Sequence, residues 1–273
     1  MNIKITDDFD LQKIADSGQC FRVKAFPDGM YRFITGSNIL YIKQVEPGLY
    51  QISCTKAQWR DFWRSYFHLD RSYRQIRRQI PDTDSYMKKA ASCGSGLRIL
   101  RQEPWEMLIT FIISQQRTIP SIKGAVEGIA EIYGDSVETD YETVHLFPTP
   151  AQMCRVTPED LKQFRLGYRN SYILDAIDKV YGGQLDLHGI AAYDDTELFH
   201  ALKSVRGVGD KVANCIALFS YGRTALAPVD TWIKKIIDRE YQGQAPFSGY
   251  GDVAGIMQQY MFYYAQQHKG EYQ

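Results

Sequence analysis

The sequence predicts an α+β protein that is mostly helical, with a small antiparallel β-sheet at its N-terminal end. Three observations carry this. Residues 1–55 are short runs of β-branched and aromatic side chains cut by turn signals. From Lys56 onward the apolar residues recur at spacings of three and four. Residues 202–232, LKSVRGVGDKVANCIALFSYGRTALAPVDTW, read as a helix, a tight Gly hairpin, a second helix, a loop and the first turn of a third helix. The expected boundary puts an N-terminal sheet domain with a flanking helix at 1–95 and a helical region at 96–273.

Within the sheet, strands are expected over 31–35, 40–44 and 49–54. Pro27-Asp28-Gly29, Gly36-Ser37-Asn38 and Pro47-Gly48 turn the chain between or before them. In FDLQKIADSGQCFR, Phe9, Leu11 and Ile14 face a core and Gly18 is a turn glycine. Trp59, Phe62, Trp63, Tyr66 and Phe67 then make an apolar helical stripe that belongs in the core. Arg71, Arg74, Arg77, Arg78, Lys88 and Lys89 read as a solvated face.

PWEMLITFIISQQ opens with Pro104, is strongly apolar, and is the central helix of the helical region. It ends in a polar tip, residues 114–118, before a helix over 119–132. Turn signals at Pro148 and Pro150 precede a helix over 157–164, and Gly167 reads as a C-cap before the next helix. Residues 185–192 read as a linker.

A helix over 196–204 leads to Gly207 and Gly209, which flank Val208 and let the chain turn sharply. Asp210 is positioned to cap a helix over 211–221 with Val212, Cys215, Ile216 and Phe219 inward. Asp230 caps the next helix, with Ile233, Ile236 and Ile237 inward. Residues 242–252 are Gly-rich and loop-like. In the last helix, DVAGIMQQYMFYYAQQ, Gln258 and Phe262 are four apart and share a face.

Composition excludes several classes. No apolar run is long enough to span a bilayer, and there is no secretory leader pattern. Net charge is +0, so a nucleic-acid partner would have to be held by local groups. Cys20, Cys54, Cys93, Cys154 and Cys215 are odd in number and contain no C-x-x-C, which argues against a disulfide framework and for a reducing cytoplasm. They also lack the closely spaced group of four that an iron–sulfur cluster takes.

The hairpin can do chemistry. A Gly hairpin feeding a helix N-terminus points free N–H groups outward, which suits a phosphate, and its carbonyls can face a monovalent cation. An ordinary helix–turn–helix in a bundle would carry the same letters. A P-loop would not, because Val212 follows Lys211. Lys211 lies in the first turn of its helix, where the macrodipole mildly disfavours a cation, and Asp230 follows 19 residues later.

The glycines, Lys211 and Asp230 in this order, within VRGVGDKVANCIALF and APVDTW, resemble the helix–hairpin–helix, Gly/Pro-rich loop and Asp motif of a DNA glycosylase superfamily. The likeness is greatest to the 8-oxoguanine DNA glycosylases, and it extends to SGQCFR and to the final helix. It implies two helical lobes with the active-site cleft between them, damaged duplex DNA containing 8-oxoguanine as the partner, a monomer, and no required cofactor. By resemblance Lys211 attacks the sugar C1′ and Asp230 stabilises the developing positive charge. Gly18 and Gln258 read the flipped base, and Cys215 and Phe262 stack on it. Gln116 fills the vacated space, and Tyr168 and Arg169 wedge into the duplex and contact the orphaned base. The backbone of Gly207, Val208 and Gly209 grips DNA, and the carbonyls of Lys203, Val205 and Val208 hold a Na⁺ or K⁺. In a bacterial cell the protein would be nucleoid-associated.

Two positions depart from the pattern. Eukaryotic members place an arginine just after the tip that contacts the orphaned cytosine, where this chain has Ser121. A phosphate-binding histidine of the family is replaced by Trp232. Excision of another damaged base, or DNA binding without catalysis, are the alternatives that the same letters leave open.

Overall fold

The turn signals of the first 55 residues do close an antiparallel sheet. The computed structural model describes residues 1–272. Its strands are β1 (Asn2–Lys4), β2 (Lys24–Ala25), β3 (Met30–Thr35), β4 (Asn38–Glu46) and β5 (Leu49–Ile52), in the spatial order β1-β5-β4-β3-β2. Ile42 stands opposite Ile52 and Gln44 opposite Tyr50, and the register slips beyond Gln44, next to the Pro47-Gly48 turn. The edge strands β1 and β2 are too short to show a period, so only the inner three are legible as pattern.

The chain divides into two compact units. The first comprises Met1–Phe33, Leu40–Arg101 and Gly222–Gln273, and the second Ile34–Ile39 and Gln102–Tyr221. The expected boundary at 95/96 is therefore corrected. Helix Ala254–Gln267 packs on helix Ser85–Cys93, which joins the C-terminal segment to the sheet unit.

In the first unit the aromatic stripe is core. Thr55 and Gln58 form a capping box for Lys56–Gln58, a π-helical turn follows over Trp59–Trp63, and Arg64–Tyr66 is α-helical again. Trp59, Trp63, Tyr66 and Phe67 join Ile14, Phe33, Leu40 and Ile42 in one cluster, with Phe62 packed beside it. Much of the basic run is paired rather than free. Arg71 meets Asp252 at 2.7 Å and Arg77 meets Asp8 at 2.6 Å. Buried Arg98 meets Asp7 at 3.1 Å and stacks on Tyr73. The residues expected as a loop at 242–252 form 3₁₀ turns over Pro246–Val253, broken at Gly251.

In the second unit the apolar helix Pro104–Ser114 is central, and every residue from Trp105 to Ile113 is buried. Its start is overdetermined. Pro104 needs no amide partner, and the Glu103 carboxylate accepts N–H bonds from Trp105 at 3.0 Å and Glu106 at 2.6 Å. Helices Ile119–Tyr133, Arg169–Tyr181 and Asp210–Phe219 pack on it. A small hairpin, Ser136–Glu138 with Thr143–His145, lies just before the turn signals at Pro148 and Pro150, in a stretch to which the sequence assigns no element. The helix expected over 157–164 is α over Pro158–Leu161 and 3₁₀ over Lys162–Phe164.

His68, 2% exposed, sits with its Nδ1 3.0 Å from the Tyr73 hydroxyl. Burial first, and then the Arg101 charge, lower its pKa to about 4. An unfolded histidine titrates near 6.5. Between these values the unfolded chain binds a proton that the folded chain refuses, so stability falls as pH drops through that window. Urea unfolding of the wild type should lose about 3 kcal/mol more than His68→Gln between pH 6.5 and 4. Equal slopes for the two proteins would contradict this.

Candidate functional site

The second unit holds the hairpin. Helix Asp195–Lys203 begins at an Asp194/Glu197 capping box. The chain reverses at Gly207, whose φ is +82° and where an added Cβ would lie 2.1 Å from the Tyr172 ring. Any side chain there meets both backbone strain and a ring. The turn is pinned by polar contacts. Val208 N–H donates to the Val205 carbonyl at 3.1 Å, and Gln115 Nε2 donates to the Gly207 carbonyl at 3.2 Å. Asp175 accepts the Arg206 N–H at 2.7 Å and the Lys179 ammonium at 2.9 Å, and Lys179 also donates to the Ser204 carbonyl.

Gly209, not Asp210, is the N-cap of helix Asp210–Phe219, and an added Cβ on it meets nothing within 4 Å. The expected Asp210 cap is thus corrected. Asp210 is already inside the helix, and its carboxylate turns back to Lys203 at 2.7 Å. Lys211 is half-buried in the first turn, with its Nζ 5.6 Å from the centroid of the Phe111 ring. Phe111 in turn stacks on Phe219 at 5.7 Å. One turn beyond Lys211, Cys215 is buried.

The polar tip lies in the same unit. Gln116 is exposed with φ +51°, between the end of helix Pro104–Ser114 and the start of Ile119–Tyr133. Tyr168 is 48% exposed, while Arg169 beside it is 7% exposed. The Arg169 guanidinium stacks on Tyr168 at 4.4 Å and donates to the carbonyls of Leu166, at 3.0 Å, and of Gln115. Gln116, Tyr168 and Arg169 are therefore brought together through the Gln115 backbone. Arg169 Nε is buried with no partner. Arg117 donates from Nε to Ser121 Oγ at 2.9 Å and from Nη2 to the same oxygen, and its Nη1 is buried with no partner. Burial, and then the charge of Arg169, lower the Arg117 pKa.

The first unit holds Gly18, Asp230, Gln258 and Phe262. Gly18 has φ +76° in a clamped turn. Ser17 Oγ donates to the Ile14 carbonyl at 2.7 Å, and Gln259 Nε2 donates to the Ser17 carbonyl at 2.6 Å. Gln19 donates to Ser17 Oγ at 2.8 Å and to the Arg98 carbonyl at 2.7 Å, and accepts Leu100 N–H at 2.8 Å. One turn before half-buried Phe262, Gln258 is 4% exposed, and its Oε1 has no partner. Asp230 caps helix Thr231–Glu240 by accepting the Ile233 N–H on Oδ1 at 2.9 Å.

Gln19, Gln115, Gln259 and Arg117 were not singled out from sequence. The doubled QQ at 115–116 and 258–259 is a signal for Gln115 and Gln259, and Gln19 and Arg117 have none. Among the described residues no disulfide joins any of the five cysteines, no group of His, Cys, Asp and Glu is arranged to hold a metal, and no helix is long and apolar enough to cross a membrane.

The family model for the 8-oxoguanine DNA glycosylase N-terminal domain matches residues 2–108, and that for HhH-GPD superfamily base excision DNA repair proteins matches residues 109–246. The fold is similar to Clostridium acetobutylicum 8-oxoguanine glycosylase/lyase in complex with double-stranded DNA containing cytosine opposite 8-oxoguanine. The TM-score is 0.90 and identity 32%, over 98% of each chain. MBOgg1 in complex with a low-affinity DNA ligand gives a TM-score of 0.93 at 33% identity, over 98% of this chain and 96% of that one. The N-glycosylase/DNA lyase of Saccharomyces cerevisiae is 32% identical over 193 residues, which is 65% of this chain and 50% of the yeast protein. The match thus spans about half the yeast protein's length.

Gly207→Ala should cost about 1–3 kcal/mol of stability by urea unfolding, because the methyl meets the Tyr172 ring at a left-handed φ. Gly209→Ala, whose Cβ points into open space, should cost less. The reverse order would show that the hairpin does not depend on the Gly207 turn.

Proposed function

The chain belongs to the HhH-GPD superfamily of base excision DNA repair proteins, with an 8-oxoguanine DNA glycosylase N-terminal domain, and on that premise we propose that it flips 8-oxoguanine from duplex DNA, excises it and cuts the strand. The observation that carries this reading is Gln258. Its amide oxygen is buried and unpartnered, one turn from an aromatic ring. Leaving such an acceptor empty costs about 1–3 kcal/mol, which a base offering N–H donors on its Watson–Crick edge recovers.

The turn clamped by Gln19 and Gln259 supports a second contact. The Gly18 carbonyl accepts the N7–H that 8-oxoguanine has. Guanine would oppose it with a lone pair, so the undamaged base leaves acceptors facing each other. Phe262 and Cys215 stack on the two faces of the base. Gln116 plugs the gap in the duplex, with Tyr168 and Arg169 beside it, and so offsets part of the few kcal/mol that unstacking costs.

The Lys211 amine, neutral when it attacks, forms a bond to C1′ as the N-glycosidic bond breaks and the base leaves with the bonding electrons and a proton. The sugar ring opens to a Schiff base. Loss of a C2′ proton then expels the 3′ phosphate, which cuts the strand on the 3′ side of the lesion. The Asp230 carboxylate offsets the positive charge that builds on the sugar in the transition state. None of these steps needs a cofactor. The backbone of Gly207, Val208 and Gly209 faces DNA, with the N–H groups of Gly207 and Gly209 as donors, since the Val208 N–H is taken by the Val205 carbonyl. The carbonyls of Lys203, Val205 and Val208 are hard neutral donors that suit Na⁺ or K⁺, and Val205, which already accepts one N–H, keeps a second lone pair for the ion. The protein acts as a monomer.

Lys211→Gln should abolish both base release from 8-oxoguanine duplexes and borohydride trapping to them. Full trapping by that variant would remove the lysine from the mechanism, and absence of trapping by the wild type would leave a DNA-binding scaffold. Asp230→Asn keeps an oxygen for the helix cap and loses the charge. It should slow single-turnover excision by about 10²–10³-fold with an unchanged melting temperature.

A further inference from the structure

The chain carries no net charge, so a DNA backbone has to be held by cations that no carboxylate of the protein already balances. Two cations beside the hairpin are balanced. Lys203 meets Asp210 at 2.7 Å, and Lys179 meets Asp175 at 2.9 Å. Arg206 differs from both. It is exposed on the hairpin and makes no ion pair among the described residues. Its guanidinium lies instead over the Tyr172 ring, 5.8 Å from the centroid.

We propose that the Arg206 side chain binds a backbone phosphate of duplex DNA, separately from the hairpin's own backbone groups, and that Tyr172 aims it. This rests on the reading above, in which duplex DNA lies against the hairpin. The main chain around Arg206 is pinned. Its N–H donates to Asp175 at 2.7 Å, and the next carbonyl, of Gly207, accepts Gln115 Nε2 at 3.2 Å. Only the side chain is left to move, and the negative face of the ring holds its cation. A guanidinium so held keeps N–H groups for a ligand, and their fork fits two phosphate oxygens. Little ordering remains to be done when the phosphate arrives.

The same rings tie this cation to the polar tip. Tyr172 meets Tyr168 edge-on, with ring centroids 5.6 Å apart, and the Arg169 guanidinium lies 4.4 Å from the Tyr168 centroid. The two rings are four residues apart at the start of helix Arg169–Tyr181, so one turn of helix spaces them. The cations at the two ends of this row have different tasks. Arg169 is buried and donates to the carbonyls of Leu166 and Gln115, whereas Arg206 is exposed. A phosphate on Arg206 is thereby set at a fixed place relative to Tyr168. Arg206 is a binding residue, and Tyr172 is a positioning residue acting through it.

The test is equilibrium binding, by fluorescence anisotropy, to a plain duplex and to one bearing a tetrahydrofuran abasic analogue, between about 50 and 200 mM KCl. Arg206→Ala should weaken both duplexes equally, by about tenfold at the low-salt end. Its plot of log affinity against log salt should be shallower than that of the wild type by about 0.9, the share of one phosphate. Arg206→Lys keeps the charge but not the fork, so it should keep the slope with an intermediate affinity. Tyr172→Leu should weaken binding on its own and cost nothing further in the Arg206→Ala background. Because Arg206 is exposed, its variants should melt as the wild type does.

An unchanged slope and affinity in Arg206→Ala would overturn the proposal. So would a loss confined to the abasic duplex, the mark of a contact made only at the lesion. An equal cost of Tyr172→Leu in both backgrounds would show that the ring supports the hairpin as a whole and does not aim the arginine. A wild type that binds both duplexes with the expected slope but releases no 8-oxoguanine would instead sink the glycosylase reading and leave Arg206 in its role.

Discussion

Two neighbouring glutamines in the last long helix set the terms for the first unit. Folded proteins seldom leave a buried polar atom without a partner. Gln258 and Gln259 are 4% and 3% exposed, and the helix treats them in opposite ways. Gln259 donates to the Ser17 carbonyl and so fixes the turn at Gly18. Gln258 is held beside it with an idle oxygen. The helix that carries both is packed on Ser85–Cys93. One side chain fixes the turn, and the other keeps an idle acceptor one turn from the Phe262 ring.

The second unit has a comparable hub in Gln115. Its side chain holds the carbonyl of Gly207 in the hairpin, and its own carbonyl holds Arg169 beside the polar tip. The helix that it terminates also supplies Phe111, against which Lys211 lies. A single buried helix thus sets the hairpin, the amine and the tip. The apolar run in PWEMLITFII is in that sense as much a part of the site as the residues that touch substrate.

What was legible in the sequence is what depends on local pattern. The inner strands, the stripe from Trp59 to Phe67 and the Gly207 reversal announce themselves by period or by a required φ. The three-residue β1, the hairpin at 136–145 and the π turn carry too few residues for a period to show. The union of the C-terminal segment with the sheet is a long-range packing choice, with no local signature. The cap at Gly209 departs from the sequence expectation because Asp is the commoner cap and the helix begins one residue earlier. The Arg117–Ser121 contact depends on side-chain reach, which a comparison of positions in one dimension cannot convey. The candidate site is legible in the sequence only as residue types at a spacing. The amides and guanidiniums that hold those residues in place are not.

The division of the chain has a consequence for how the protein is made. Nearly all of the second unit is one unbroken stretch, Gln102–Tyr221, and its two ends meet where the Gln102 N–H donates to the Phe219 carbonyl at 2.8 Å. Its residues are all present once that stretch has left the ribosome. The first unit begins synthesis earlier yet waits longer, because Gln259, the clamp on its Ser17 turn, arrives some 240 residues after the turn itself. During translation the half that is started first is therefore the half completed last. A nascent chain halted near residue 221 would carry a finished hairpin and tip beside a sheet still lacking the helix that steadies it.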